Sequence, residues 1–124
     1  MLTRIDYVTF KQAQILKTLN FTNLCDHAYD ENGLWFRAHG DERYNKPELP
    51  NTFFTPTYQE LQRWLREAFE IAVWVEPNKS TDSWCGYIYT LDGAWMGEVY
   101  DSTYEAALSA AIDVALESLY KKKQ

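Results

Sequence analysis

Trp84-Cys85-Gly86-Tyr87-Ile88-Tyr89-Thr90, then Leu91-Asp92-Gly93-Ala94, then Trp95-Met96-Gly97-Glu98-Val99-Tyr100 is the stretch that decides the fold. Two alternating apolar runs flank an Asp-Gly pair, the strongest short-range signal for a β-hairpin. A two-residue type I′ turn at Asp92-Gly93 requires positive φ at both positions. The turn pairs Leu91 with Ala94, Tyr89 with Met96, Tyr87 with Glu98 and Cys85 with Tyr100, so these side chains share one face. The opposite face carries Trp84, Gly86, Ile88 and Thr90 against Trp95, Gly97 and Val99. Its two glycines leave room for a helix to approach closely. Directly after the hairpin, Ser102-Thr103-Tyr104-Glu105 fits a capping box and opens a helix that ends in the lysines 121–123.

Working outward, Thr9-Phe10-Lys11-Gln12 and Thr57-Tyr58-Gln59-Glu60 are two further capping boxes. The first opens a helix with Phe10, Ala13, Leu16 and Leu19 on one stripe, and Asn20 suits the left-handed position just past its end. The second opens a helix whose Leu61, Trp64, Leu65 and Ala68 recur at i, i+3, i+4 and i+7, a core-facing stripe. Residues 24–29 and 34–38 form a hairpin around Asp30-Glu31-Asn32-Gly33. Residues 39–56 hold charges and three prolines without a period, so they are expected to form a long internal loop, anchored by Phe53 and Phe54. Residues 71–76 make a strand, 77–83 a polar loop. The last helix is expected to bury Leu108, Ala111, Ile112, Ala115, Leu116 and Leu119. The order is α-β-β-(long loop)-α-β-β-β-α: an α+β domain spanning 1–124, helices packed on an antiparallel sheet, with 121–124 as a polar tail.

Composition sets bounds on function. The chain has 124 residues, enough for one core, and 16% of them are aromatic, with five Trp and nine Tyr. The net charge is −6, and from Thr55 onward six basic residues stand against eleven acidic ones. Such a surface repels phosphate backbones and anionic lipid, which argues against nucleic acid and membrane as partners. The apolar run 71–75 is far too short to span a bilayer, and the N-terminus lacks the apolar core of a signal peptide. Two cysteines, Cys25 and Cys85, make no disulfide framework. The expectation is a cytoplasmic protein with both thiols reduced.

Three segments carry a likeness to known proteins. They are the first helix running into Leu19-Asn20-Phe21 and Cys25; residues 55–61 with Trp64-Leu65-Arg66-Glu67; and residues 100–108 with the Ala/Leu helix that follows. Together they resemble a family of small proteins from phages and prophages of Bacteroidetes. The likeness covers most of the chain but not 39–51. That family has no established activity, so the resemblance implies a provenance and no mechanism.

The residues that could carry chemistry are few. If helices cover the glycine face of the hairpin, the other face presents Tyr87, Tyr89, Met96 and Tyr100 around Glu98, a platform suited to protein contacts or ring stacking. The competing reading has the N-terminal hairpin or the long loop covering it as a second small core. Cys25 and His27, two apart on one strand, point the same way, as a nucleophile pair or half a metal site would. With only His39 and Cys85 as further residues of those types, no zinc spacing arises, so Cys25 reads as a small core residue. Asp26, Asp30, Asp92, Asp101 and Glu105 suit turns and caps, and Glu60, Glu67 and Glu70 a solvated helix side. There is no phosphate-binding glycine loop, nucleophile elbow or dinucleotide fingerprint, so no catalytic, cofactor-binding or metal-ligating residue and no cofactor is assigned. From Thr55 onward, helix–three strands–helix is the order of the double-stranded-RNA-binding domain. Acids at 101 and 105 occupy the place where that recognition needs cations. The sequence therefore points to a phage-type accessory protein acting by contact with a protein partner or by self-association. Nucleic-acid binding through the αβββα half is the alternative, and a small enzyme the third reading.

Overall fold

The computed structural model describes residues 2–39 and 49–123. After a short 3₁₀ turn, Arg4–Asp6, the chain forms helix α1 (Phe10–Thr18), strands β1 (His27–Tyr29), β2 (Trp35–Arg37) and β3 (Phe53–Thr55), and helix α2 (Tyr58–Phe69). Strands β4 (Ile71–Asn78), β5 (Ser83–Thr90) and β6 (Met96–Asp101) follow, and helix α3 (Tyr104–Lys123) closes the chain. This is the expected α+β class, with two antiparallel sheets in place of one: β2-β1-β3 and β4-β5-β6. Residues 40–48 of the expected 39–56 loop lie outside the described residues, and the end of that stretch is a strand. Phe53 and Phe54 enter β3, which pairs with β1 through Tyr29↔Phe53 and Ala28↔Phe54.

Local chemistry explains where the elements begin and end. Thr9 accepts from the Gln12 amide while the Gln12 side chain accepts from the Thr9 amide, and Thr57 and Glu60 do the same for α2. Asn20, just past α1, takes φ 64°, and Glu70 ends α2 in the same left-handed region at φ 56°. At α3 the cap falls one residue later than expected. Thr103 Oγ1 accepts from the Ala106 amide at 3.1 Å, while the Ser102 amide is held by Asp101 Oδ1 at 2.7 Å. The third position is thus Ala106, and Glu105 cannot close a box. In α2, Leu61 and Leu65 are fully buried, but Ala68 is exposed because the helix runs past the end of the core.

The β5–β6 register is the expected one, Tyr89↔Met96, Tyr87↔Glu98 and Cys85↔Tyr100. The turn differs. Only Gly93 has positive φ (75°), and Asp92 does not. Gly93 N donates to Thr90 O, Ala94 N to Asp92 Oδ1 and Trp95 N to Thr90 Oγ1, so residues 91–94 form a longer loop built on side-chain hydrogen bonds. Both loops close the strands on the same pairs, which is why the register survives the change of turn.

Helix α3 lies along all three strands of the β4–β5–β6 sheet and also meets α1, which in turn packs on β3. Gly86 permits the approach. A Cβ on Gly86 would lie 2.7 Å from Ala107 O and 2.9 Å from the Ala111 methyl. Ile71, Val73 and Ile88 from the sheet are buried with Leu108, Ala111, Ile112, Ala115, Leu116 and Leu119 of α3, Leu61 and Leu65 of α2, and Leu16 of α1. Each large aliphatic side chain buried this way contributes roughly 1.5–3 kcal/mol of transfer free energy. Gln12 is the polar exception. Its Nε2 donates to Asp113 Oδ1 at 2.8 Å and to Ser109 O and Oγ at 3.2 Å, while Tyr58 donates to its Oε1 at 2.8 Å. One buried amide thus ties three helices together. Among the described residues no helix is long and apolar enough to cross a membrane.

Candidate functional site

Alternation along β4, β5 and β6 sorts their side chains into two faces. Ile71, Val73 and Val75 point with Ile88 and Gly86 toward the helices. The residues between them point away, and the registers align them in three rows across the sheet. Ala72, Tyr89 and Met96 form one row; Trp74, Tyr87 and Glu98 the next; Glu76, Cys85 and Tyr100 the third. Helices thus cover the glycine face, and the five residues Tyr87, Tyr89, Met96, Glu98 and Tyr100 stand together on the other. Met96 is 58% exposed, Tyr100 56% and Trp74 36%. Tyr87 and Tyr89 are half-buried by their neighbours on the face.

The face is ordered by its own contacts. Trp74 stacks on Tyr87 across the strand pair, ring centres 5.1 Å apart and planes 19° from parallel. Its indole Nε1 donates to Glu76 Oε1 at 3.3 Å. The Tyr100 hydroxyl donates to Glu98 Oε2 at 2.7 Å. That bond and the carboxylate charge hold the Tyr100 phenol protonated, its pKa pushed up to about 12. Cys85 beside it, with Glu76 and Glu98, likewise raises the pKa of Tyr87. The Tyr87 and Tyr100 phenols are therefore neutral, and Glu76 and Glu98 are the carboxylates of the face. Cys85 itself is 2% exposed, shielded beneath its row, so it offers no accessible nucleophile. No Lys, Arg or His occurs in β4, β5 or β6. The surface is aromatic and anionic.

Sequence reasoning missed the β4 contribution, Trp74 and Glu76. The alternation Ile71-Ala72-Val73-Trp74-Val75-Glu76 is plain in the sequence, but the turn between β4 and β5 has no Asn-Gly or Asp-Gly pair to fix its register. Asp82, at φ 52°, supplies the left-handed residue there.

The second constellation, Cys25 with His27, is not assembled as expected. β1 starts at His27, and Cys25 lies before it in irregular chain. Cys25 is partly buried against the core, its thiol donating to Asn23 O at 3.4 Å. Burial first, then the charges of Glu60 and Asp26, push its pKa up to about 12, the reverse of an activated thiol. His27 stacks flat on Trp35 at 4.2 Å and meets the edge of Tyr7 at 4.8 Å. The Arg4 guanidinium lies over the Trp35 and Tyr29 rings, at 5.6 and 4.8 Å. This cluster packs the small sheet against the N-terminal turn. Among the described residues no three His, Cys, Asp or Glu side chains gather where they could hold a metal ion.

Comparison with known proteins gives no match: no family model fits the chain, and no curated protein and no solved structure is similar to it.

Proposed function

We propose that this is a phage- or prophage-type accessory protein of the cytoplasm, acting as a protein–protein interaction module. Its partner docks on the outer face of the β4–β5–β6 sheet. One observation carries the reading: the large sheet turns Trp74, Met96 and Tyr100 to solvent in one contiguous patch with Tyr87 and Tyr89. Contiguous apolar patches on soluble proteins mark interaction sites, and Tyr, Trp and Met are the side chains enriched in interface centres. The resemblance of the three segments quoted above to proteins of Bacteroidetes phages and prophages supports that provenance.

The alternative, nucleic-acid binding, draws on the order α2-β4-β5-β6-α3. Against it stand the exposed acids Asp101 and Glu105 at the start of α3, with Lys121, Lys122 and Lys123 at the far end of that helix. A photo-reactive amino acid placed at position 100, and separately at position 117 on α3, separates these readings. In a Bacteroidetes lysate, the position-100 probe should capture a nuclease-resistant protein that the position-117 probe does not. Capture of nuclease-sensitive material, or equal capture from both positions, would contradict docking on the sheet.

A further inference from the structure

Strand β6 is the edge of the large sheet. The Thr90 amide donates to Trp95 O at 3.0 Å, which makes Thr90–Trp95 a hydrogen-bonded pair and sets the parity of the ladder. Gly97, Val99 and Asp101 then turn their backbone groups to β5. Met96, Glu98 and Tyr100, whose side chains build the outer face, turn their N–H and C=O groups outward along an edge that pairs with no other strand among the described residues. One row of residues thus offers both a backbone ladder and the side chains beside it.

Exposed edges are normally blunted by proline, lysine or a bulge. The β4 edge carries Pro77, which has no N–H to give. β6 has no proline and no lysine, and its six pairs with β5 run without a break. What it carries instead is Glu98 at its centre and Asp101 at its end, both exposed. Those carboxylates, with Glu76 on the same face as Glu98, repel a second acidic strand. They equally disfavour a second copy of this chain, whose net charge is −6. A cationic strand meets the reverse: Glu98 lies directly in its path, and Tyr100 and Met96 flank it with ring and thioether surface for an arginine or lysine stem.

Building on docking at this face, we propose that the free edge of β6 accepts an extended, lysine- or arginine-rich segment of a protein partner as a fourth strand. The segment pairs with the backbones of Met96, Glu98 and Tyr100 and places a cation against Glu98.

The test uses the full chain, labelled for amide NMR, and two synthetic peptides of about eight residues, the usual strand length or slightly more. One alternates threonine with lysine, the other threonine with glutamate. The lysine peptide should shift and protect the amides of Met96, Glu98 and Tyr100 and bind at least roughly tenfold more tightly than the glutamate peptide, with the gap shrinking as salt is raised. Glu98→Lys should reverse the preference, with unchanged β5 amides reporting an intact sheet. Glu98→Pro removes the central outward N–H and should abolish protection along the edge. Equal binding of both peptides, shifts elsewhere on the molecule, or no shift at millimolar lysine peptide would overturn the proposal. Movement of the Trp74 and Tyr87 ring signals without the β6 amides would overturn edge pairing while leaving docking on the face intact. Capture from position 117 equal to that from position 100 would remove the docking reading, whichever way the peptides bind.

Discussion

Gln12 is fully buried, yet its amide has a partner for every hydrogen it can donate, on a helix about a hundred residues away in sequence. Gln12→Ala leaves Tyr58, Ser109 and Asp113 facing each other without their bridge. The expected loss is about 1–3 kcal/mol in urea unfolding, because the half-buried Asp113 and Ser109 lose their amide donor while Tyr58 keeps only its bond to Ser109 Oγ at 3.0 Å. Tyr58→Phe, which removes one donor, should cost about 1 kcal/mol. The capping role of Gln12 was legible from Thr9-Phe10-Lys11-Gln12. Its reach to α3 was not, since nothing local says which helix will lie beside it. His27 titrates in the opposite sense to a salt-bridged histidine. Burial lowers its pKa below 6.5, outweighing Asp26, and Arg37 adds to the lowering. The folded state thus takes up the proton less readily than the unfolded state. The stability this gives is fully present above 6.5 and lost as pH falls through the folded value. His27→Phe keeps an aromatic ring against Trp35 without a proton, so the wild type should lose stability relative to it as pH drops below 6.5. Parallel pH profiles would contradict the assignment. On the outer face, Glu98→Gln should bring the Tyr100 phenol down from about 12 toward 10, read from phenolate absorbance.

At the scale of elements, the hairpin register was readable because alternation and a turn signal agreed, and it tolerated the wrong turn type. Helix starts at Thr9 and Thr57 were readable for the same reason: cap, box and apolar stripe coincided. At α3 two candidate hydroxyls stood side by side, and the sequence could not rank Ser102 against Thr103. β3 was illegible. Three residues, Phe53-Phe54-Thr55, are too short to show a period, and their partner strand β1 is equally short and distant in sequence. The contact between α3 and the sheet gives a sharp prediction. In Gly86→Ala the new methyl meets a backbone oxygen, so the helix must move. The expected destabilisation is about 1–3 kcal/mol, measured by urea unfolding. The neighbouring Gly97 faces the end of the Trp95 ring instead, at 3.0 Å, a side chain that can swing aside, so Gly97→Ala should cost less.

Taken whole, the molecule packs helices α2 and α3 on one side of its large sheet, with α1 against α3, and among the described residues leaves the other side aromatic, anionic and uncovered. The split between faces was written in the glycine pattern of residues 84–100. Whether the tyrosine face lay free or beneath the first hairpin or the long loop was not, because that depends on where those segments pack; residues 40–48 of the loop lie outside the described residues. Strands β1–β3 pack toward α1, through α1–β3 contacts, and do not cover the face. Exposed side chains contribute little to stability, so Met96→Ser with Tyr100→Ser should change unfolding free energy by no more than about 0.5 kcal/mol. Ile88→Ala, on the covered face, should cost about 2–5 kcal/mol. The most direct test compares the wild type with the Met96→Ser, Tyr100→Ser variant, each tagged and passed through nuclease-treated lysate. The account predicts a protein partner retained by the wild type and lost by an equally stable variant. Retention of the same partner by both proteins would contradict it.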